Sequence, residues 1–214
     1  MSSELRVGRI FHGTTAEGPG KRTAVWVQGC TIRCPGCINP ELFDARGGSL
    51  VSVRDLLAEA LAEEVEGLTF LGGEPFEQAE ALGELAELAR AEGLGVITFT
   101  GHRHEDLVTR PEAQRLLAHS DLLVDGEYQA ANPETQRSLV GSTNQRFLHF
   151  TDRYEGVLPA PQRNRVELRI GEDGSIEMAG FLTSEGLGDW ADALGARRRP
   201  RRVGNSTQGK QGEA

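Results

Sequence analysis

Short apolar runs alternate along the chain with longer stretches in which apolar residues recur every three or four positions. Residues 5–11 and 23–27 read as strands on either side of a glycine-rich turn at 12–20, because short apolar, β-branched runs bounded by turn residues suit strands. From residue 52 a helical period appears. Leu56, Leu57, Ala60, Leu61 and Val65 fall on one face of a helix running to about Glu66, with Ser52 placed to cap it and Asp55 three residues on. Residues 68–71 form a short apolar strand that stops at Gly72-Gly73. Residues 77–92 repeat the helical period through Leu82, Leu85, Ala86 and Ala89, with Gly93 as the stop. Residues 95–100, 122–124 and 147–150 read as strands and 112–119 as a helix.

Strands separated by three- or four-turn helices predict parallel βαβ units. Right-handed crossovers then wind the chain into a sheet or partial (β/α) barrel, an α/β fold. Loops that carry chemistry belong at the carboxyl ends of such strands. After residue 150 the pattern changes. Residues 165–170 and 175–181 flank GEDG as a β-hairpin. From about residue 186 glycine, arginine and polar residues dominate, and the segment reads as a disordered tail. The expected division is a core at 1–150, a hairpin extension at 151–185 and a tail at 186–214. No internal repeat is present.

The chain of 214 residues is long enough to bury a core. Its net charge of −9 is uneven: six of the 23 Lys and Arg but one of the 32 Asp and Glu lie in 197–214, which leaves the body at −14. An acidic body argues against a nucleic-acid partner. The arginines at 197–202 read as a solvated run or as a dock for an acidic partner. The first residues lack an apolar leader and no stretch approaches a membrane span, so no membrane association is expected. Clustered thiols without a leader point to the cytoplasm.

All three cysteines, Cys30, Cys34 and Cys37, fall in the string GCTIRCPGC. Electron-transfer clusters are held by four cysteines. Three thiolates at this spacing hold three irons of a [4Fe–4S] cluster and leave the fourth open to another ligand. The competing reading is a non-catalytic iron–sulfur or zinc module, with His119 or His149 completing a Cys3His zinc site.

The string and its flanks resemble the radical S-adenosylmethionine (SAM) superfamily, and within it the activating proteins of glycyl radical enzymes, above all the anaerobic ribonucleotide reductase activating group. The resemblance rests on EGPGKR (17–22), WVQGC (26–30), CPGCINPELF (34–43), LGGEP (71–75), FTGH (99–102), LLVDGEY (122–128) and GSTNQRF (141–147), in that order. It implies a partial (β/α) barrel and an oxidoreductase that cleaves SAM reductively at a cluster held by Cys30, Cys34 and Cys37. The implied partners are a glycyl radical enzyme resembling anaerobic ribonucleotide reductase and an electron donor of the flavodoxin or ferredoxin type. A radical SAM enzyme acting directly on a small molecule or peptide is the alternative.

The resemblance also implies cofactor contacts. Gly36 lets backbone approach the cluster, and Asn39 matches an Asn at that spacing, although a loop Asn capping a turn before Pro40 reads equally well. In Gly72-Gly73-Glu74-Pro75 the glycines offer backbone groups and Glu74 a carboxylate for the SAM ammonium. Alone, the string would be a turn with Pro75 near N1 of a helix. Thr100, Asp125, Ser142 and Asn144 match strand-end and pocket positions, each also readable as a turn or loop residue. GPGKR (18–22) is either a tight turn with a solvated basic pair or a loop at the mouth of the site. His102 stands where the family commonly has Tyr; neither it nor His104 is assigned a role. Residues 151–214 have no counterpart in the resemblance, which leaves the partner open.

Overall fold

A computed structural model of the chain describes residues 3–161 and 164–181. Strand β1 (Glu4–Thr14) folds back on β2 (Arg22–Val27) as an antiparallel pair, and β3 (Ser49–Ser52) adds to the other side of β1. Helix α1 (Val53–Ala62) leads to β4 (Gly67–Gly72), α2 (Ala79–Ala91) to β5 (Gly95–Phe99), and the short α3 (His104–Leu107) with α4 (Gln114–His119) to β6 (Leu122–Asp125). Strand β7 (Arg146–His149) returns antiparallel to β6. The sheet order is β3-β1-β2-β4-β5-β6-β7, and β2, β4, β5 and β6 run parallel at its centre. The expected α/β architecture is present, as a mixed sheet with a parallel centre.

The helices are shorter than the periodicity predicts, for local reasons. Ser52 caps α1 by accepting the Asp55 N–H at 3.5 Å. The helix ends at Ala62 because Glu64 takes φ +52° and Glu66 N–H turns back to Lys21 O at 2.7 Å, feeding β4. Proline opens a 3-10 turn ahead of both α2 (Pro75–Gln78) and α4 (Pro111–Ala113). Strand β3 and helix α3 have four residues each, too few to show a period.

Period-two alternation gives the sheet two different faces. On the outer face Val25, Val27, Leu68, Phe70, Val96 and Leu123 pack under Leu56, Leu82, Leu85 and Leu116 of the helices, all buried. On the inner face Phe11, Ala24, Trp26, Ile97, Leu122 and Val124 share space with buried Arg22 and Thr69. The hairpin forms as expected, from β8 (Val166–Ile170) and β9 (Ile176–Gly180), with Gly171 N–H on Ser175 O at 2.8 Å and Gly174 at φ +80° in its turn. It lies on the inner face, where Ala179 joins the Phe11–Trp26 cluster. The expected tail at 186–214 lies outside the described residues. Among the described residues no helix is long and apolar enough to cross a membrane.

Candidate active site at the carboxyl ends of the parallel strands

Parallel strands align their carboxyl ends, so four loops gather on one edge: 28–48 after β2, 73–78 after β4, 100–103 after β5 and 126–145 after β6. The first carries the cysteines. Its ends are tied by Gly29 N–H to Leu42 O at 2.8 Å and Cys30 N–H to Phe43 O at 3.3 Å. Buried Gln28 holds the loop closed by donating to Glu41 O at 3.1 Å and Asp44 O at 2.7 Å. This role was not read from WVQGC, since nothing local distinguishes a loop-closing Gln from an exposed one.

Burial pushes the thiols of Cys30 and Cys34 above their ordinary range. Backbone N–H groups pull the other way: those of Arg33 and Ile32 toward Cys30, and that of Tyr128 toward Cys34. N–H groups directed at sulfur favour the thiolate, the form that ligates iron. Among the described residues no three Cys, His, Asp or Glu side chains converge tightly enough to enclose an ion. The loop therefore presents the three donors on one short segment, and the chemistry of that set, three thiols with backbone N–H support, fits a three-cysteine cluster. The zinc alternative loses its fourth ligand. His119 ends α4 and His149 pairs with Leu122 at the start of β6, both at the edge opposite the cysteines.

Glu74 is the most constrained group on this edge. It is 1% exposed, and Oε1 accepts from Phe76 N–H at 3.0 Å and Thr100 Oγ1 at 2.8 Å while Oε2 accepts from Gly101 N–H at 3.0 Å. Burial outweighs these bonds and pushes its carboxyl up to about 7. No basic side chain pairs with it among the described residues. A buried carboxylate with spare lone pairs and no countercharge suits a cationic ligand. Thr100 serves Glu74 directly, and Pro75 occupies N1 of the turn that Glu74 caps.

The glycines before Glu74 have a steric reason. A Cβ on Gly72 would lie 2.6 Å from Trp26 Cα, and one on Gly73 2.0 Å from Gly29 O. Gly73 N–H bonds Val27 O at 2.8 Å and Glu74 N–H bonds Gly29 O at 2.7 Å. The two loops are thus stitched backbone to backbone, and Glu74 is fixed relative to the cysteines. Gly36 takes φ +80°, and its added Cβ would sit 3.3 Å from Ala130 Cβ, so the cysteine loop also abuts the loop after β6.

The remaining candidates are engaged by the protein. Asn39 stands at the N-cap of the 3-10 turn Pro40–Leu42 without a side-chain capping bond. Asp125 is buried, and its oxygens accept from His104 N–H at 2.7 Å and from Arg146 at 2.8 and 2.5 Å. The Ser142 hydroxyl accepts from Gln129 N–H at 3.1 Å, and Asn144 Nδ2 donates to Glu127 O at 2.8 Å. These three residues brace the loop after β6.

The GPGKR segment departs from both expected readings. Arg22 is 1% exposed, and it donates from Nε to Thr69 Oγ1 at 2.6 Å, from Nη1 to Tyr154 Oη at 2.7 Å and Pro19 O at 3.2 Å, and from Nη2 to Leu68 O at 2.5 Å and Gly95 O at 3.1 Å. It pairs with Gly67 at the start of β4, the end of the sheet away from the cysteines. The basic pair is therefore split: Lys21 reaches solvent near Glu63, and Arg22 braces the core.

Comparison with known proteins follows the same residues. The 4Fe-4S single cluster domain family matches residues 16–148, more than half of the chain. The anaerobic ribonucleoside-triphosphate reductase-activating protein of Enterobacteria phage T4 is 30% identical over 155 residues, covering 69% of this chain and 96% of the phage protein. Pyruvate formate-lyase 1-activating enzyme of Escherichia coli K12 is 33% identical over 144 residues, and the enzyme of Clostridium pasteurianum is 31% identical over 126. The chain spans 56% and 50% of the lengths of those two enzymes. A solved structure of QueE from Escherichia coli aligns with 47% of this chain at a TM-score of 0.40 and 20% identity, too slight a likeness to add to the fold.

Proposed function

Because the chain belongs to the radical SAM 4Fe-4S single cluster family, we propose that it is an activating enzyme that cleaves SAM reductively and installs a glycyl radical on a partner enzyme of the anaerobic ribonucleotide reductase kind. The observation that carries this is the stitching of one loop with three thiols to another with a buried carboxylate that lacks a cation. Cys30, Cys34 and Cys37 hold the cluster. The chemistry a cluster held there would supply is one-electron reduction of SAM, which would break a sulfonium carbon–sulfur bond and so provide for removal of a hydrogen atom from the target.

The chain's own residues bind and orient. Glu74 receives the SAM ammonium, a charge-assisted bond that exchanges its proton for a cation. Thr100 and Gly101 aim the carboxylate, and Gly72 and Gly73 set its distance from the cysteine loop. Gly36 and Asn39 border the cofactor on the loop side, and Asp125, Ser142 and Asn144 shape the far wall. Residues 1–150 carry the chemistry in a partial barrel, with 151–185 as an appended hairpin segment. A flavodoxin- or ferredoxin-type protein of the reducing cytoplasm supplies the electron.

Anaerobic reconstitution tests the proposal. The protein should bind about four irons and four sulfides, and Ala at Cys30, Cys34 or Cys37 should abolish 5′-deoxyadenosine formation. With a cognate glycyl radical enzyme, the reduced protein and SAM should give a glycine-centred doublet in electron paramagnetic resonance. Stoichiometric zinc without sulfide would sink the proposal. SAM cleavage with no radical on any candidate partner would transfer it to a small molecule or peptide.

A further inference from the structure

The hairpin is fastened to the inner face by a few polar clasps and one methyl group. Gly180 N–H donates to Glu17 Oε1 at 2.5 Å. In the opposite sense, Thr14 Oγ1 and Thr15 N–H donate to Glu167 Oε2 at 2.8 and 3.2 Å. The Arg169 guanidinium lies 4.1 Å from the ring centroid of Phe11. Ala179, 1% exposed, fits among Phe11, Ala16, Ala24, Trp26 and Leu42. The next two residues continue across the face. Gly180 takes φ +102°, a conformation that favours glycine, and Phe181 reaches the loop after β6, where a Cβ on Gly141 would meet its ring at 2.9 Å beside that of Tyr128. The far end of the hairpin stands in solvent, with Ile170 69% and Ile176 57% exposed.

The fit is incomplete. The Arg9 guanidinium stacks 4.0 Å over Trp26 on this face, yet its buried Nε has no acceptor among the described residues. A buried donor left without a partner is costly, and a better occupant would satisfy it. The segment 164–181 also lies beyond the residues matched by the family, 16–148.

An enzyme that acts on a glycine in another protein must admit an extended segment with that glycine near its reactive edge. We propose that the inner-face groove between Glu17, Trp26 and Tyr128 is the receiving site for that segment, and that the chain's own Ala179-Gly180-Phe181 occupies it in cis as a stand-in. The inference rests on the activating-enzyme proposal above. It specifies the partner's chemistry: a small residue for the slot of Ala179, a glycine whose N–H meets Glu17, and a large apolar residue against Tyr128. A further carbonyl should meet Arg9. The incoming segment must displace β9.

A peptide of the chain's own strand, acetyl-Ser-Ile-Glu-Met-Ala-Gly-Phe-amide, serves as the probe. Trp190→Phe leaves Trp26, under the hairpin, as the only tryptophan reporter. In that background Glu167→Ala removes the clasps to Thr14 and Thr15, and the peptide should shift Trp26 fluorescence with about tenfold higher affinity than in the parent. Glu167→Gln, which keeps the acceptor, should restore the parent's affinity. A peptide with Val for Gly should bind at least tenfold more weakly. If Glu167→Ala does not fold, excess peptide should speed hydrogen exchange of the β9 amides in the parent protein. Equal binding of the Gly and Val peptides, or β9 amides whose exchange the peptide leaves unchanged, would overturn the proposal. These readouts need neither reductant nor SAM turnover. Reduced protein that cleaves SAM but ignores the peptide refutes the groove alone, and one that binds the peptide but never cleaves SAM refutes the activating-enzyme reading alone.

Discussion

The two faces of the central sheet are built by different rules. The outer face is an apolar layer of Leu, Val, Phe and Ala under α1, α2 and α4, in which each residue contributes through area removed from water. The inner face also buries side chains, but Arg22, Glu17 and Thr69 are among them and carry polar groups that must find partners. Arg22 shows the consequence: five hydrogen bonds hold a cation in the interior, and burial still pushes its ionisation down. The large apolar layer is concentrated on one side of the sheet. Groups able to meet a ligand are concentrated on the other and along its carboxyl edge.

Substitutions on the two faces should separate these contributions. Arg22→Met has the largest expected effect, because it removes five hydrogen bonds at once and leaves the buried Tyr154 hydroxyl without the guanidinium it accepts from. A loss of about 3–5 kcal/mol is expected, read as a lower urea midpoint. Leu85→Ala on the outer face should cost about 3 kcal/mol through its cavity. That loss should be the same at pH 5 and pH 8, since its neighbours are apolar.

Glu74→Gln should barely alter iron content while weakening SAM binding about 10- to 100-fold, as expected for a charge-assisted bond contributing about 1.5–3 kcal/mol. The pH dependence has a definite sign. With its folded-state carboxyl near 7 against an ordinary 4.5, Glu74 binds more protons folded than unfolded between those values. Its contribution is fully present below pH 4.5 and is lost as pH rises through 7. Apo protein should therefore lose stability over that window, measured by denaturant titration at each pH, and Glu74→Gln should flatten the loss. SAM affinity of the parent should rise over the same window. The smallest effect belongs to Ser52→Ala at the start of α1, about 1 kcal/mol in the same titration with cluster assembly untouched.

Much of the site was legible because it is local. The spacing of Cys30, Cys34 and Cys37, the GGEP string and its position after an apolar strand all lie within short stretches of chain. Alternating elements predicted a parallel centre, and the loops at its carboxyl edge are the ones that gather. Elements of four residues were not legible, since β3 and α3 are shorter than any period that could announce them. Arg22 was not legible as a core residue, because a basic pair beside glycines reads as a solvated turn or as a loop at the mouth of a site. Only the arrival of Leu68, Gly95 and Tyr154 from distant parts of the chain makes an interior place for it.

Composition and spacing by themselves determined the chemical repertoire: three thiols on one loop, a carboxylate after paired glycines, and an α/β alternation that sends both to the same edge. Tertiary structure alone decided how those groups are used. The carboxylate of Glu74 is shifted because the fold removes water and brings no cation, and Gly73 is required because the Gly29 carbonyl passes where a side chain would stand. The hairpin shows the same division. Its strands and turn could be read from alternation and GEDG, but its seat on Phe11, Trp26 and Glu17 arises from contacts more than 150 residues apart in sequence. Local patterns select elements through short-range sterics and periodicity, whereas burial and ionisation depend on every segment that comes to lie within a few ångströms.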